Sequence, residues 1–148
     1  MSLEIIISDA IKDAMRAKDK VALDALRAVK SQILLLKTEA KGAEVSAEQE
    51  IAILQRMIKQ RKDSYDQFTA QNRSDLAEVE EAQSKVIEKY LPQQMTSEEL
   101  ETAMKNIIAE TGATSAKDLG KVMGMAGKAL AGKSDGKSIS DMAKKLLS

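Results

Sequence analysis

No glycine or proline interrupts the chain between Gly42 and Pro92. Glycine weakens a helix through its backbone freedom, and proline breaks one by removing a donor and crowding the preceding turn. A stretch this long without either residue can carry long helices. The apolar positions agree with that reading. Leu26, Val29, Ile33 and Leu36 recur every three or four residues, the spacing that gathers side chains on one helical face. No segment alternates with period two for long enough to form a strand. The expected fold class is therefore all-α.

Individual helices follow from the same spacing. Ile7, Ile11, Ala14 and Met15 mark a first helix, and Lys18-Asp19-Lys20 reads as the turn after it. The second helix carries Leu34 and Leu35 in addition to its periodic row. It is apolar nearly all round, which predicts the central, most buried helix of a bundle. Gly42 stops it. Ser46 to Gln49 has capping-box spacing and opens a third helix, whose face is Ile51, Leu54, Ile58, Tyr65 and Phe68. Leu76, Val79, Gln83, Val86 and Tyr90 form the row of a fourth.

Pro92 is the single proline and marks a boundary, because it disfavours helix at Leu91. The expected domains are residues 1–92, a long-helix N-terminal bundle, and residues 93–148, a small three-helix C-terminal domain. Thr96 to Glu99 repeats the capping-box pattern ahead of a face made by Leu100, Ala103, Met104, Ile107 and Ile108. Gly112 ends that helix, Ser115 to Asp118 opens the next, and Ser138 to Asp141 opens a last short one with Ile139, Met142, Leu146 and Leu147. Six of the seven glycines lie beyond Pro92, so the second part has the tighter turns.

Composition narrows the chemistry. The 148 residues include no cysteine and no histidine. Thiolate chemistry is excluded, as are the usual neutral-pH base and the commonest metal ligand. Ser and Thr hydroxyls then lack a histidine to activate them. Glu78, Glu80 and Glu81 are close in sequence, but a metal site needs convergent oxygens. We expect no metal, no cofactor and no catalytic site of the chain's own. Lys+Arg and Asp+Glu are 23 each, which excludes a chain coated in positive charge for non-specific nucleic-acid binding. Aromatic residues are 2%, too few for a base-stacking platform. No apolar run reaches the roughly 18 residues that suggest a membrane span. The start, with Glu4 and no basic leader, is unlike a secretory signal. A cytoplasmic home without a membrane partner is the expectation.

One charge asymmetry stands out. Residues 112–148 carry seven Lys against three Asp, a net of +4. Within them, Asp118 to Lys128 projects as a helix with Leu119, Val122, Met123, Ala126 and Leu130 on one face. Lys117, Lys121 and Lys128 fall within about 40° of one another on the opposite face, at 100° per residue. Gly120, Gly124 and Gly127 form a stripe beside them. Each glycine inside a helix costs roughly 1 kcal/mol relative to alanine, so three together need a reason. Two readings fit. A glycine stripe lets another backbone approach closely, and flanking lysines suit a phosphate backbone. Small residues also permit close helix–helix packing inside a protein, with the lysines merely solvated.

Two further features have simpler accounts. Gly127 to Ser134 matches the pattern G-x-x-x-x-G-K-[ST]. A phosphate-binding loop of that kind needs a strand before it and a helix after it. A helix precedes this one and only 14 residues follow, so ATP or GTP binding is not expected. Gly132 and Gly136 instead bracket a loop that exposes Lys133 and Lys137. Arg61 sits on the apolar row of the third helix, seven residues from both Leu54 and Phe68. The favoured reading is a stem lying on apolar surface or an interhelical ion pair with Glu39 or Glu81; the other is a recessed RNA contact. Arg73 follows a helix break and fits either role.

Ile58-Lys59-Gln60-Arg61-Lys62-Asp63-Ser64, Tyr90-Leu91-Pro92-Gln93-Gln94 and Asp118-Leu119-Gly120-Lys121-Val122-Met123-Gly124, with Leu26-Arg27-Ala28-Val29-Lys30 ahead of them, resemble the YqeY family of small bacterial proteins. The resemblance covers essentially the whole chain. The Gly-Lys-Val-Met segment also resembles the tail domain of GatB, a subunit of the glutamine-dependent amidotransferase that amidates misacylated tRNA. The resemblance implies a GatB/YqeY-like pair of helical domains whose smaller member binds tRNA, without the amidotransferase core. Its implied partners are tRNA and, more distantly, an aminoacyl-tRNA synthetase or amidotransferase components. Any carbon–nitrogen ligase role would come by that association. Gly120, Lys121 and Gly124 coincide with the family signature. Lys128, Lys133 and Lys137 fall in its basic C-terminal region, and Lys117 and Gly127 complete the candidate surface. The resemblance tips the stripe towards the RNA reading, with a helical protein–protein adaptor as the alternative.

Overall fold

A computed structural model describes residues 2–148. Among the described residues there are seven α-helices and a 3₁₀ turn, and no strand. The chain is all-α. It divides into two compact units, Met1–Leu91 and Pro92–Ser148.

The first unit holds α1 (Leu3–Ala17), α2 (Lys20–Glu39), α3 (Ala47–Ala70) and α4 (Ser74–Glu88). Lys18 ends α1 in the left-handed region, and Asp19 caps α2 by accepting from the Ala22 amide at 3.1 Å. Ser46 and Gln49 complete a reciprocal capping box at the start of α3. These caps satisfy amides that a helix start leaves without intrahelical partners. The α2 helix packs against α1, α3 and α4. Its Ala25, Leu26, Val29 and Ile33 join Ile7, Leu54, Met57 and Ile87 in one core.

Two expectations for this unit need correction. Although α2 is central, it is not buried all round: Leu34 is 44% and Leu35 53% exposed. Its three neighbours cover one broad side and leave the last turns open. On α4 the fully buried residues are Ala77, Ser84 and Ile87, whereas of the expected row Leu76, Gln83, Val86 and, just past the helix, Tyr90 are half-buried and Val79 is exposed. Small side chains at Ala77 and Ser84 let α4 approach α3 closely, so the contact face turns toward them and Val79 is left 43% exposed. The three residues between α3 and α4 reverse the chain, making an antiparallel hairpin. Past Ile58, α3 has no fully buried residue, so the outer hairpin is held by half-buried contacts.

The second unit holds α5 (Ser97–Thr111), a 3₁₀ turn (Ala116–Asp118), α6 (Leu119–Ala129) and α7 (Gly136–Leu147). Thr96 and Glu99 form a second reciprocal capping box. Gly112 ends α5 at φ +71°. Leu100, Met104, Ile107, Val122, Ala126, Leu130, Ile139, Ala143 and Leu147 make its core. The segment ahead of α5 is tied to the α6–α7 loop: the Met95 amide donates to the Lys133 carbonyl at 2.8 Å, and Gln94 Nε2 donates to the Gly132 carbonyl at 2.6 Å.

Here too the boundaries shift. Ser115 caps the 3₁₀ turn, and α6 begins only at Leu119. The last helix starts at Gly136, not Ser138, because Asp135 is its cap and accepts from the Ser138 amide at 2.6 Å. Gly136 thus belongs to α7 rather than closing a loop, while Gly132 is buried at φ +77°.

Candidate nucleic-acid interface

The α6 helix has two sides of different chemistry. Val122 and Ala126 are fully buried against α5 and α7. The other side is open: Gly120, Lys121, Gly124, Met125, Gly127 and Lys128 are all exposed. A Cβ added at Gly120, Gly124 or Gly127 would meet nothing within 4 Å. The glycines therefore do not serve a close helix–helix contact within the second unit. Lys121 and Lys128 are seven residues apart, about 20° around the helix and about 10 Å along it. The glycines run down one flank of this pair. Met125, 38% exposed, lies on the other flank.

Lys117 is exposed but lies on the 3₁₀ turn, where its projection with Lys121 and Lys128 on one continuous helix does not apply. Lys133 is exposed in the α6–α7 loop, and Lys137 is exposed in the first turn of α7. Among the described residues, the ion pair of this unit joins Lys105 to Glu101 at 3.5 Å along α5. Among those same residues, none of the lysines from Lys117 onward is in an ion pair. Two of the three nearby acids are committed to backbone: Asp118 accepts from the Thr114 amide and Asp135 from that of Ser138. Asp118 consequently makes no side-chain cap on α6, and Lys121 stands in that helix's first turn. The positive end of the helix dipole and the lysine thus act together on any anion there.

In the first unit Arg73 and Arg61 are each held by neighbouring groups. Arg73 donates from Nε and Nη2 to both carboxylate oxygens of Asp75, at 3.2 and 3.1 Å. That bidentate bond holds the Asp75 carboxyl below the usual carboxylate range. Arg61 reaches an amide rather than the expected acid: its Nε donates to Gln83 Oε1 at 3.1 Å. Glu81 is paired instead with Lys85 at 3.4 Å. Among the described residues, no group of three or more acidic side chains is placed to hold a metal ion. No described helix is long and apolar enough to cross a membrane.

A family model described as Yqey-like protein matches residues 5–147. The chain belongs to the YqeY family. Curated relatives of this YqeY chain include "Altered inheritance of mitochondria protein 41, mitochondrial" of Lachancea thermotolerans, 34% identical over 102 residues, 68% of this chain and 54% of the relative. The protein of the same name from Saccharomyces cerevisiae (strain YJM789) is 32% identical over 96 residues, covering 65% and 52%. That of Meyerozyma guilliermondii is 38% identical over 86 residues, covering 55% and 42%. The chain spans about half the length of the curated relatives it matches. These names also correct the expectation of a cytoplasmic home, since each relative is named as a mitochondrial protein.

Proposed function

We propose that this YqeY protein is a non-catalytic accessory that binds tRNA through the exposed side of α6. The observation that carries the reading is the open glycine stripe beside lysines that are in no ion pair among the described residues. Three helical glycines with empty space above them lower stability and gain no packing within the second unit. They allow a foreign backbone to lie close to the helix. Lys121 and Lys128 then neutralise successive phosphates, with Lys117, Lys133 and Lys137 extending the contact. Contacts to backbone phosphates carry no base information, so recognition rests on the folded shape of the RNA. The likeness of the α6 segment to an amidotransferase tail domain supports tRNA as the RNA in question.

The test is a titration of labelled tRNA at two salt concentrations. Lys121→Glu combined with Lys128→Glu should weaken binding. It should also lower the slope of log K against log salt by about 0.7–0.9 for each phosphate that is no longer neutralised. Equal affinity and equal slope for the variant and the wild type would remove the proposal.

A further inference from the structure

A cleft of about 240 Å³ opens between α3 and α4 in the first unit. All its lining residues belong to the first unit, and the inference is independent of the tRNA reading. Lys62 and Lys85 on its walls are already paired, Lys62 with Glu88 at 3.8 Å and Lys85 with Glu81 at 3.4 Å. Arg61 is not. Its guanidinium is half-buried and is held by two neutral acceptors, Gln83 Oε1 at 3.1 Å and the Met57 carbonyl at 3.3 Å. No carboxylate lies within ion-pairing distance of it among the described residues. Three of its five N–H donors remain for another group. The cleft therefore carries three cations against two acids, and the surplus is the charge of Arg61.

A second observation lies beside it. Ser84 also lines the cleft and is 4% exposed, and its hydroxyl has no hydrogen-bond partner among the described residues. A buried hydroxyl without a partner forfeits the bonds it makes with water in the unfolded chain. A fixed, uncompensated guanidinium and an orphan hydroxyl in one cleft are each completed by an oxyanion.

We infer that this cleft binds a phosphate group. Arg61 supplies the fork of donors, pre-oriented by Gln83 and Met57, that matches two phosphate oxygens. The Ser84 hydroxyl turns about its Cα–Cβ bond and donates to a third. Donors from Arg61 and Ser84 that can meet three oxygens suit a phosphate better than a carboxylate, which offers two. The Tyr65 ring, also on the wall, offers a face for a sugar or base attached to that phosphate.

Two probes distinguish the sources of the group: inorganic phosphate and adenosine monophosphate, each titrated at constant ionic strength against chloride. The readouts are the Arg61 side-chain Nε–H and Ser84 amide signals in NMR spectra. Both should shift and saturate. Tighter binding of the nucleotide assigns the site to a phosphorylated metabolite, and equal affinity assigns it to free phosphate. Arg61→Gln should reduce affinity more than tenfold. Because Arg61 also bridges two helices, Ser84→Ala is the safer variant. It removes a hydroxyl that does nothing in the free protein, so stability should hold, while phosphate affinity should fall roughly fivefold to tenfold. Lys121→Glu with Lys128→Glu should leave these titrations unchanged, which separates this site from α6. Absence of saturable shifts with either probe, or wild-type affinity in both Ser84→Ala and Arg61→Gln, would overturn the inference.

Discussion

Arg61 on α3 and Gln83 on α4 are joined by a single hydrogen bond, from the guanidinium Nε to the amide Oε1 at 3.1 Å. The bond crosses the hairpin where its buried core gives way to half-buried contacts. A neutral acceptor fixes the direction of the guanidinium without cancelling its charge. An acidic partner would have done both. Glu81 is engaged by Lys85 four residues along the same helix, a spacing that helical geometry alone brings together.

Gln83→Ala should therefore destabilise the first unit by about 1 kcal/mol, since water can partly replace the missing acceptor at a half-buried site. Gln83→Glu keeps an acceptor in place and adds the opposite charge. Its stability should equal or exceed that of the wild type. Urea unfolding of both variants, followed by circular dichroism, measures the difference. A Gln83→Ala midpoint identical to the wild type would show that the bond contributes nothing.

Gly112 carries the C-terminus of α5 at φ +71°, a conformation that an L side chain adopts only with strain. Nothing lies within 4 Å of a Cβ placed there, so the backbone alone sets the cost. Gly112→Ala should destabilise the second unit by about 1 kcal/mol. Hydrogen exchange of the α5 amides should speed up accordingly, with the first unit's amides unchanged.

The sequence made the caps legible and hid one of the faces. Ser46 with Gln49 and Thr96 with Glu99 are local patterns that need only a few neighbouring residues to act, and both form the reciprocal bonds their spacing implies. The buried face of α4 is a tertiary property. Hydrophobicity ranks Leu76, Val79 and Val86 above Ala77 and Ser84, yet close approach to α3 selects the smaller pair. Exposure of the glycines on α6 is equally illegible in sequence, because a small residue is compatible with tight packing and with open space alike. Lys117 departs from its projected angle because a 3₁₀ turn winds differently from an α-helix. Arg61 is recognisable as singular from its place on an apolar row. Its partner cannot be read there, since amide and acid lie two residues apart on the same helix.

Tyr90 makes the first unit's stability fall at alkaline pH. It packs half-buried against the core, and burial, helped by the Asp13 carboxylate, pushes its phenol above the ordinary value of 10.0. The fold thus favours the neutral phenol. The stability this provides is full below about pH 10, where the unfolded tyrosine is also neutral, and is lost as pH rises from there through the folded value. The measurement is a difference between two proteins, so that contributions common to both cancel. Unfolding free energies of wild type and Tyr90→Phe, compared at pH 8 and pH 11, should show a steeper decline for the wild type. Parallel declines would assign the alkaline loss to other groups.

The three glycines of α6 allow stability and binding to be driven in opposite directions by one set of substitutions. Gly120→Ala, Gly124→Ala and Gly127→Ala each add a methyl group into empty space on a helix. Each should stabilise the second unit by about 0.5–1 kcal/mol, through helix propensity and a less flexible unfolded chain. The sites are three or four residues apart and share no partner, so the triple variant should gain about 2 kcal/mol if the terms add. If an RNA backbone lies on the stripe, the same methyl groups hold it off the helix and tRNA affinity falls although every lysine remains. A substitution that merely damaged the fold would lower both quantities, and one on an idle surface would raise stability and leave affinity alone. Opposite movement in thermal unfolding and tRNA titration is the outcome that only a close-approach surface produces.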